Sequence, residues 1–409
     1  MLFLRSREGR TFYANWLAFF LLGTINNLPY VIVNSSAKVL ATSLNAANLF
    51  PLVTFANVAL GLFAKGGSAV MTATNYPRYW ERFYLNGLLM IIGLLGVAFA
   101  PQFWIALMAI LVVGCSSSFG ESVTLGYLRY YPKEFVNAWS SGTGFAGILG
   151  AALYIMFTCI AVNEVSEGSV NAELKAINQI AYFCTLPAVL VYWFAYFILL
   201  RSPAKELTFE EHQPLLNDTE TERREGCIKP CDYYTKQIHR ILHCTKLVLW
   251  LTFNLSAVYV FEYIAQGCGG KARPKSEYNE TSCPELYASL QLCYQAGVFV
   301  SRSSVGLVKI KRVEIFTVLQ FINMVVWVLQ TAFKFLPTDI LPAYMIFVGL
   351  LGGASYVNIF YRLRADEEFE EDRELCINVA ALGVTIGILL GSSIETGLFA
   401  MEQKYISDF

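Results

Sequence analysis

The chain has 409 residues, of which 56% are hydrophobic and only 15% charged. An ordinary soluble domain carries about 25% charged residues, so a single soluble core cannot absorb the apolar excess, and most of it must face lipid. With 30 basic and 31 acidic residues the formal net charge is −1, which supplies no basic field and excludes nucleic-acid binding.

A hydrocarbon core of about 30 Å needs about 20 residues of apolar helix. Runs of that length are predicted at 11–33, 46–64, 82–104, 105–130, 139–162 and 176–199, then at 246–266, 285–308, 313–334, 339–361 and 375–400. The first is too long for a signal-peptide core and lacks a small-residue cleavage site, so it reads as a retained signal anchor. The last admits a second description, one span plus a short re-entrant turn, because Gly391, Ser392, Ser393 and Glu395 interrupt it. The pattern predicts an all-α integral membrane protein of about eleven transmembrane helices in two halves. Residues 1–201 form a six-helix N-terminal half, 202–245 a polar cytosolic linker, and 246–409 the C-terminal half with a lumenal loop at 267–284. Cytosolic loops are enriched in Lys and Arg. With the N-terminus cytosolic, 23 of the 30 basic residues fall on the inner side and 7 on the outer.

A charge near the bilayer centre costs about 3 kcal/mol on insertion scales, so each one is a candidate functional residue. Glu121 in the fourth span shares a helical face with Ser117 and Thr124, and reads either as an ionisable group on a solute path or as a packing carboxylate. Asn26 and Asn27, ahead of Pro29, can join helices or contact solute. In the seventh span Tyr259, Glu262, Tyr263 and Gln266 recur on one face; in the eighth, Tyr287, Gln291, Tyr294, Gln295 and Arg302 form another. Two such faces meeting would hold a small polar solute. For Arg302, snorkelling to headgroups competes with solute binding. The fifth span opens on Trp139, Ser140, Ser141, Gly142, Thr143 and Gly144 and continues to Gly147. Close helix packing is the leading reading, and an unwound, anion-binding helix start is the alternative.

Inside the linker, Glu211, Leu215 and Leu216 form the acidic-x-x-x-Leu-Leu pattern that clathrin adaptor proteins read in cytosolic segments. Cys227, Cys231, His239 and His243 are similar to a zinc arrangement but have too short a spacer, and juxtamembrane palmitoylation is a competing use of these cysteines. No metal or cofactor is expected. The lumenal loop carries an acceptor triplet at Asn279 and a possible Cys268–Cys283 disulfide, both suited to an oxidising, glycosylating compartment. Cys115, Cys159, Cys184 and Cys376 sit in apolar runs and read as small packing residues. No hydrolase or protease motif occurs, and all three histidines lie in the linker, so an enzyme is not expected.

Several stretches resemble the battenin family of lysosomal and vacuolar membrane proteins associated with Batten disease. The most specific are WSSGTGFAGILGA at 139–151, YQAGVFVSRSS at 294–304 and GLLGGASYVN at 349–358, with support from NNLPYV at 26–31 and EYIAQG at 262–267. Battenins look like a divergent branch of the major facilitator superfamily. The resemblance implies that spans one, four, seven and ten line a central cavity, which would place Asn26, Asn27, Glu121, Glu262 and Asn358 along it. It further implies a lysosomal membrane, support of lysosomal pH homeostasis, and movement of glycerophosphodiesters or of basic amino acids such as arginine. The acidic-then-basic facilitator signature after the second span is missing, as is a C-terminal prenylation cysteine. A non-transporting scaffold of endolysosomal trafficking is the alternative function.

Overall fold

In the computed structural model the described residues are 7–74, 77–128, 130–132, 134–164, 170–201, 230–273, 286–303, 309–369 and 373–406. Within them the chain is a bundle of helices, because in lipid each backbone N–H and C=O must find its partner inside its own segment. The N-terminal half contains α1 (Arg7–Ser43), α2 (Pro51–Ala59), α3 (Gly61–Thr74), α4 (Tyr79–Phe99), α5 (Phe103–Leu128), α6 (Glu134–Glu164), α7 (Val170–Thr185) and α8 (Ala188–Phe194). The C-terminal half contains α9 (Pro230–Cys268), α10 (Leu286–Ser303), α11 (Glu314–Phe333), α12 (Leu341–Ala365) and α13 (Arg373–Ile406). Among the described residues, 9 helices are long and apolar enough to cross a membrane.

Each of the predicted apolar runs carries helix, with differences that have local causes. The run at 46–64 is not one span: a 3-10 turn at Ala47–Leu49 leads into α2, and the chain breaks at Leu60 before α3. Its apolar portion is confined to Pro51–Lys65. The run at 176–199 bends where Pro187 removes a backbone donor between α7 and α8, and it ends in a π turn at Ala195–Leu199. The last run is one continuous helix rather than a span with a re-entrant turn. Helix α9 starts at Pro230, so the C-terminal part of the expected linker is helical. Helix α10 is among the shortest and most polar of the set, because its inward face is Tyr, Gln and Arg.

Glycines set the tightest helix contacts in both halves. A Cβ on Gly142 of α6 would stand 2.1 Å from the Phe20 carbonyl oxygen of α1, and one on Gly23 would stand 2.5 Å from that of Trp139. Thr24 Oγ1 donates to the Gly142 carbonyl at 3.2 Å in the same crossing. The C-terminal half repeats the device between α10 and α12: a Cβ on Gly297 would meet the Ile346 oxygen at 2.2 Å, and one on Gly349 the Tyr294 oxygen at 2.1 Å. Without side chains the backbones approach closely enough for dispersion to hold them where lipid offers no hydrophobic drive.

Candidate functional site

The polar stripes of α9 and α10 come together in the middle of the bundle. The Tyr294 hydroxyl donates to Glu262 Oε1, while Glu262 Oε2 has no hydrogen-bond partner among the described residues. Glu262 is 1% exposed and sits over Gly352 of α12, where a Cβ would lie 2.2 Å from Oε2. One turn along α9, Gln266 is buried with its amide nitrogen unpartnered among the described residues. Arg302 of α10 donates to the Tyr259 hydroxyl at 3.4 Å and lies 4.5 Å over the Tyr356 ring of α12. The guanidinium is thus held by an aromatic face and a phenol, and its Nε has no partner among the described residues.

The N-terminal half meets this cluster through Tyr30 and carries an ion pair of its own. The Tyr30 hydroxyl of α1 lies 3.4 Å from that of Tyr263. Lys65 of α3 and Glu121 of α5 form an ion pair at 2.8 Å with side chains 43% and 41% exposed. Polar contacts thus link Arg302 to Tyr356 and Tyr259, Tyr294 to Glu262, and Tyr263 to Tyr30 of the N-terminal half.

A second polar network is confined to the N-terminal half. Asn26 donates to the Ser117 carbonyl at 2.8 Å and accepts from Asn86 at 3.0 Å; Asn86 also donates to the Tyr192 hydroxyl at 3.0 Å. Ser117 donates to Asn27 at 3.1 Å. Gly120 leaves the room these amides occupy, since a Cβ there would fall 1.9 Å from Asn26 Oδ1. Asn26 thereby joins α1, α4 and α5.

The family model described as "CLN3 protein" matches residues 17–402. The chain belongs to the CLN3 family. It is 34% identical to battenin of Dictyostelium discoideum, over 97% of this chain and 96% of that protein, and 28% identical to battenin of Canis lupus familiaris, over 97% and 92%. Among solved structures, a bacterial homolog to the human lysosomal transporter Spinster, inward-facing and unoccupied, superposes with a TM-score of 0.58 at 14% identity, covering 95% of this chain and 82% of that one. A D-xylose-proton symporter gives 0.58 at 12% identity, covering 95% and 90%. These likenesses establish a major-facilitator-like fold, and the apolar helices make the chain a multi-pass membrane protein.

Within this CLN3-family chain the residues singled out from sequence are distributed as follows. Glu262, Tyr294 and Arg302 converge on the central cluster, with Gln266 one turn away. Glu121 is not the uncompensated buried charge that its place in an apolar run suggested: Lys65 of α3 pairs with it, and both side chains are more than a third exposed. Asn358 accepts from the Ile310 backbone N–H at 2.7 Å and donates to the Ala354 carbonyl at 2.8 Å, so it holds the chain before α11. Helix α6 is unbroken through Ser140, Ser141, Gly142, Thr143, Gly144 and Gly147. Its glycine face packs α1 at Gly142 and α10 at Gly147, where a Cβ would meet Gln295 Oε1 at 2.3 Å. Cys159, read from sequence as a packing thiol, is disulfide-bonded. Cys268 is buried at the end of α9, while Cys283, Asn279, Glu211, Leu215 and Leu216 lie outside the described residues. Sequence reasoning passed over Lys65, Tyr30 and Tyr356, which carry no periodic signal, and gave no role to Glu395, 3% exposed in α13.

Proposed function

We propose that the protein moves a small polar solute across a lysosomal or vacuolar membrane. The observation that carries this reading is the cluster of buried Glu262 and Tyr294 with half-buried Tyr263, Tyr30, Arg302 and Tyr356, where the two halves of a transporter fold meet. A carboxylate oxygen and a guanidinium nitrogen buried without hydrogen-bond partners among the described residues are costly to keep, and a solute with both donors and acceptors would satisfy them. Glycerophosphodiesters fit through their phosphate at Arg302; arginine fits through its guanidinium at Glu262 and its carboxylate at Arg302. Glu121, paired with Lys65, is the group that ties flux to the proton, supporting lysosomal pH homeostasis.

The topology that goes with this function has the N-terminus and 202–229 in the cytosol, 274–285 in the lumen with glycan on Asn279, and adaptor recognition at Glu211, Leu215 and Leu216. Purified protein in liposomes decides the matter. Uptake of a labelled glycerophosphodiester or of arginine, lost on Arg302→Ala and Glu262→Ala with folding intact, is the expected result. If neither solute moves while the protein is folded, the trafficking scaffold replaces the transporter.

A further inference from the structure

The two ends of the bundle differ in how the halves are joined. At the end bearing Lys65, Glu121 and Arg302, charged side chains remain partly exposed. At the opposite end, where α9 finishes, the halves are sealed. Lys38 of α1, only 8% exposed, donates from Nζ to the Gly270 carbonyl in the 3-10 turn Gly269–Lys271 that follows α9. Beside it Phe50, between the halves and 1% exposed, packs edge-on to Tyr287 of α10 at 5.4 Å and against Phe399 of α13 at 5.6 Å. Lys271 covers the other side of Phe399, 4.1 Å from its centroid. A Cβ on Gly270 would lie 2.6 Å from the Phe50 ring, so that ring seats directly on the turn Lys38 holds.

We infer that Lys38 is the latch of a gate at this end, with Phe50 as its plug. The bond fits a latch because the carbonyls at a helix C-terminus carry partial negative charge, and an ammonium placed there is favoured at short range only. A small separation of the halves breaks the contact outright. The aromatic contacts around Phe50 are lost with it, since Tyr287 and Phe399 belong to the C-terminal half. The latch rests on the transporter reading for its purpose, but its existence is a conformational question that needs no solute.

Hydrogen exchange on the purified full-length chain in nanodiscs, without solute, tests it. Lys38→Met removes the donor and keeps the length, and a charged hydrogen bond of this kind shifts an opening equilibrium about tenfold or more. The expected result is about tenfold faster exchange confined to 267–272 and 44–52, with the α4–α5 core unchanged and Lys38→Arg close to native. Should Lys38→Met not fold, Phe50→Leu trims the plug instead and is expected to give the same local pattern. Exchange that is unchanged, or that rises equally across α4 and α5, overturns the latch. Because no substrate is present, failure of the transport assay leaves this result standing, and failure here leaves transport standing.

Discussion

Tyr294 of α10 and Glu262 of α9 meet over α12, and the phenol satisfies one carboxylate oxygen while the other is left over Gly352. Tyr294→Phe would remove the only hydrogen bond among the described residues to a side chain that is 1% exposed. The expected loss is about 1–3 kcal/mol of stability, read as a fall in Tm in detergent. Glu262→Gln keeps an acceptor for Tyr294 and should unfold close to the native temperature, with solute flux reduced tenfold or more. A native Tm for Tyr294→Phe would mean that the bond contributes nothing.

The glycine crossings predict position-dependent costs. Gly142→Ala and Gly349→Ala each push a methyl group to 2.1 Å from a backbone oxygen on the partner helix, which cannot rotate away. Each should destabilise by about 1–3 kcal/mol through helix separation. Gly67→Ala is the control, because a Cβ there meets nothing within 4 Å. It should be neutral, or stabilising by up to about 1 kcal/mol from helix propensity. Thermal unfolding of the three variants side by side distinguishes close approach from a general intolerance of glycine replacement.

Lys65 and Glu121 are both more than a third exposed, so their attraction is screened. A double-mutant cycle with Lys65→Met and Glu121→Gln is expected to give a coupling energy below about 1 kcal/mol. On the proposed role, Glu121→Gln folds and traffics normally but flattens the pH dependence of flux. Flux measured across a pH series that retains its native profile would move the coupling role elsewhere.

Sorting and topology are tested in cells. Leu215→Ala with Leu216→Ala should shift the protein toward the cell surface without lowering its Tm, since the surrounding sequence is polar and charged rather than apolar. Fluorescence imaging reads the result, and unchanged lysosomal residence would show that another signal dominates. Protease added to intact organelles should cut 202–229 and spare the Asn279 segment; the reverse pattern inverts the membrane orientation.

What was legible in the sequence is what bilayer thickness and helix period dictate locally. Apolar run length placed the helices, and the spacing of Glu262 with Gln266 and of Tyr294 with Arg302 put polar groups on shared faces before any partner was known. What only the tertiary structure decided is which faces meet. That Glu121 is neutralised depends on α3 packing beside α5 with Lys65 at the contact, and no local pattern encodes a pairing between residues so far apart in the chain. Asn26 and Asn358 are polar residues in apolar runs and look alike in sequence, yet one joins helices through Asn86 and Ser117 and the other holds the Ile310 backbone. The seal of Lys38 on Gly270 brings together α1 and the end of α9. Hydropathy reports how each segment partitions between water and lipid, whereas the partners of a buried polar group are fixed by packing among helices that are equally content in lipid.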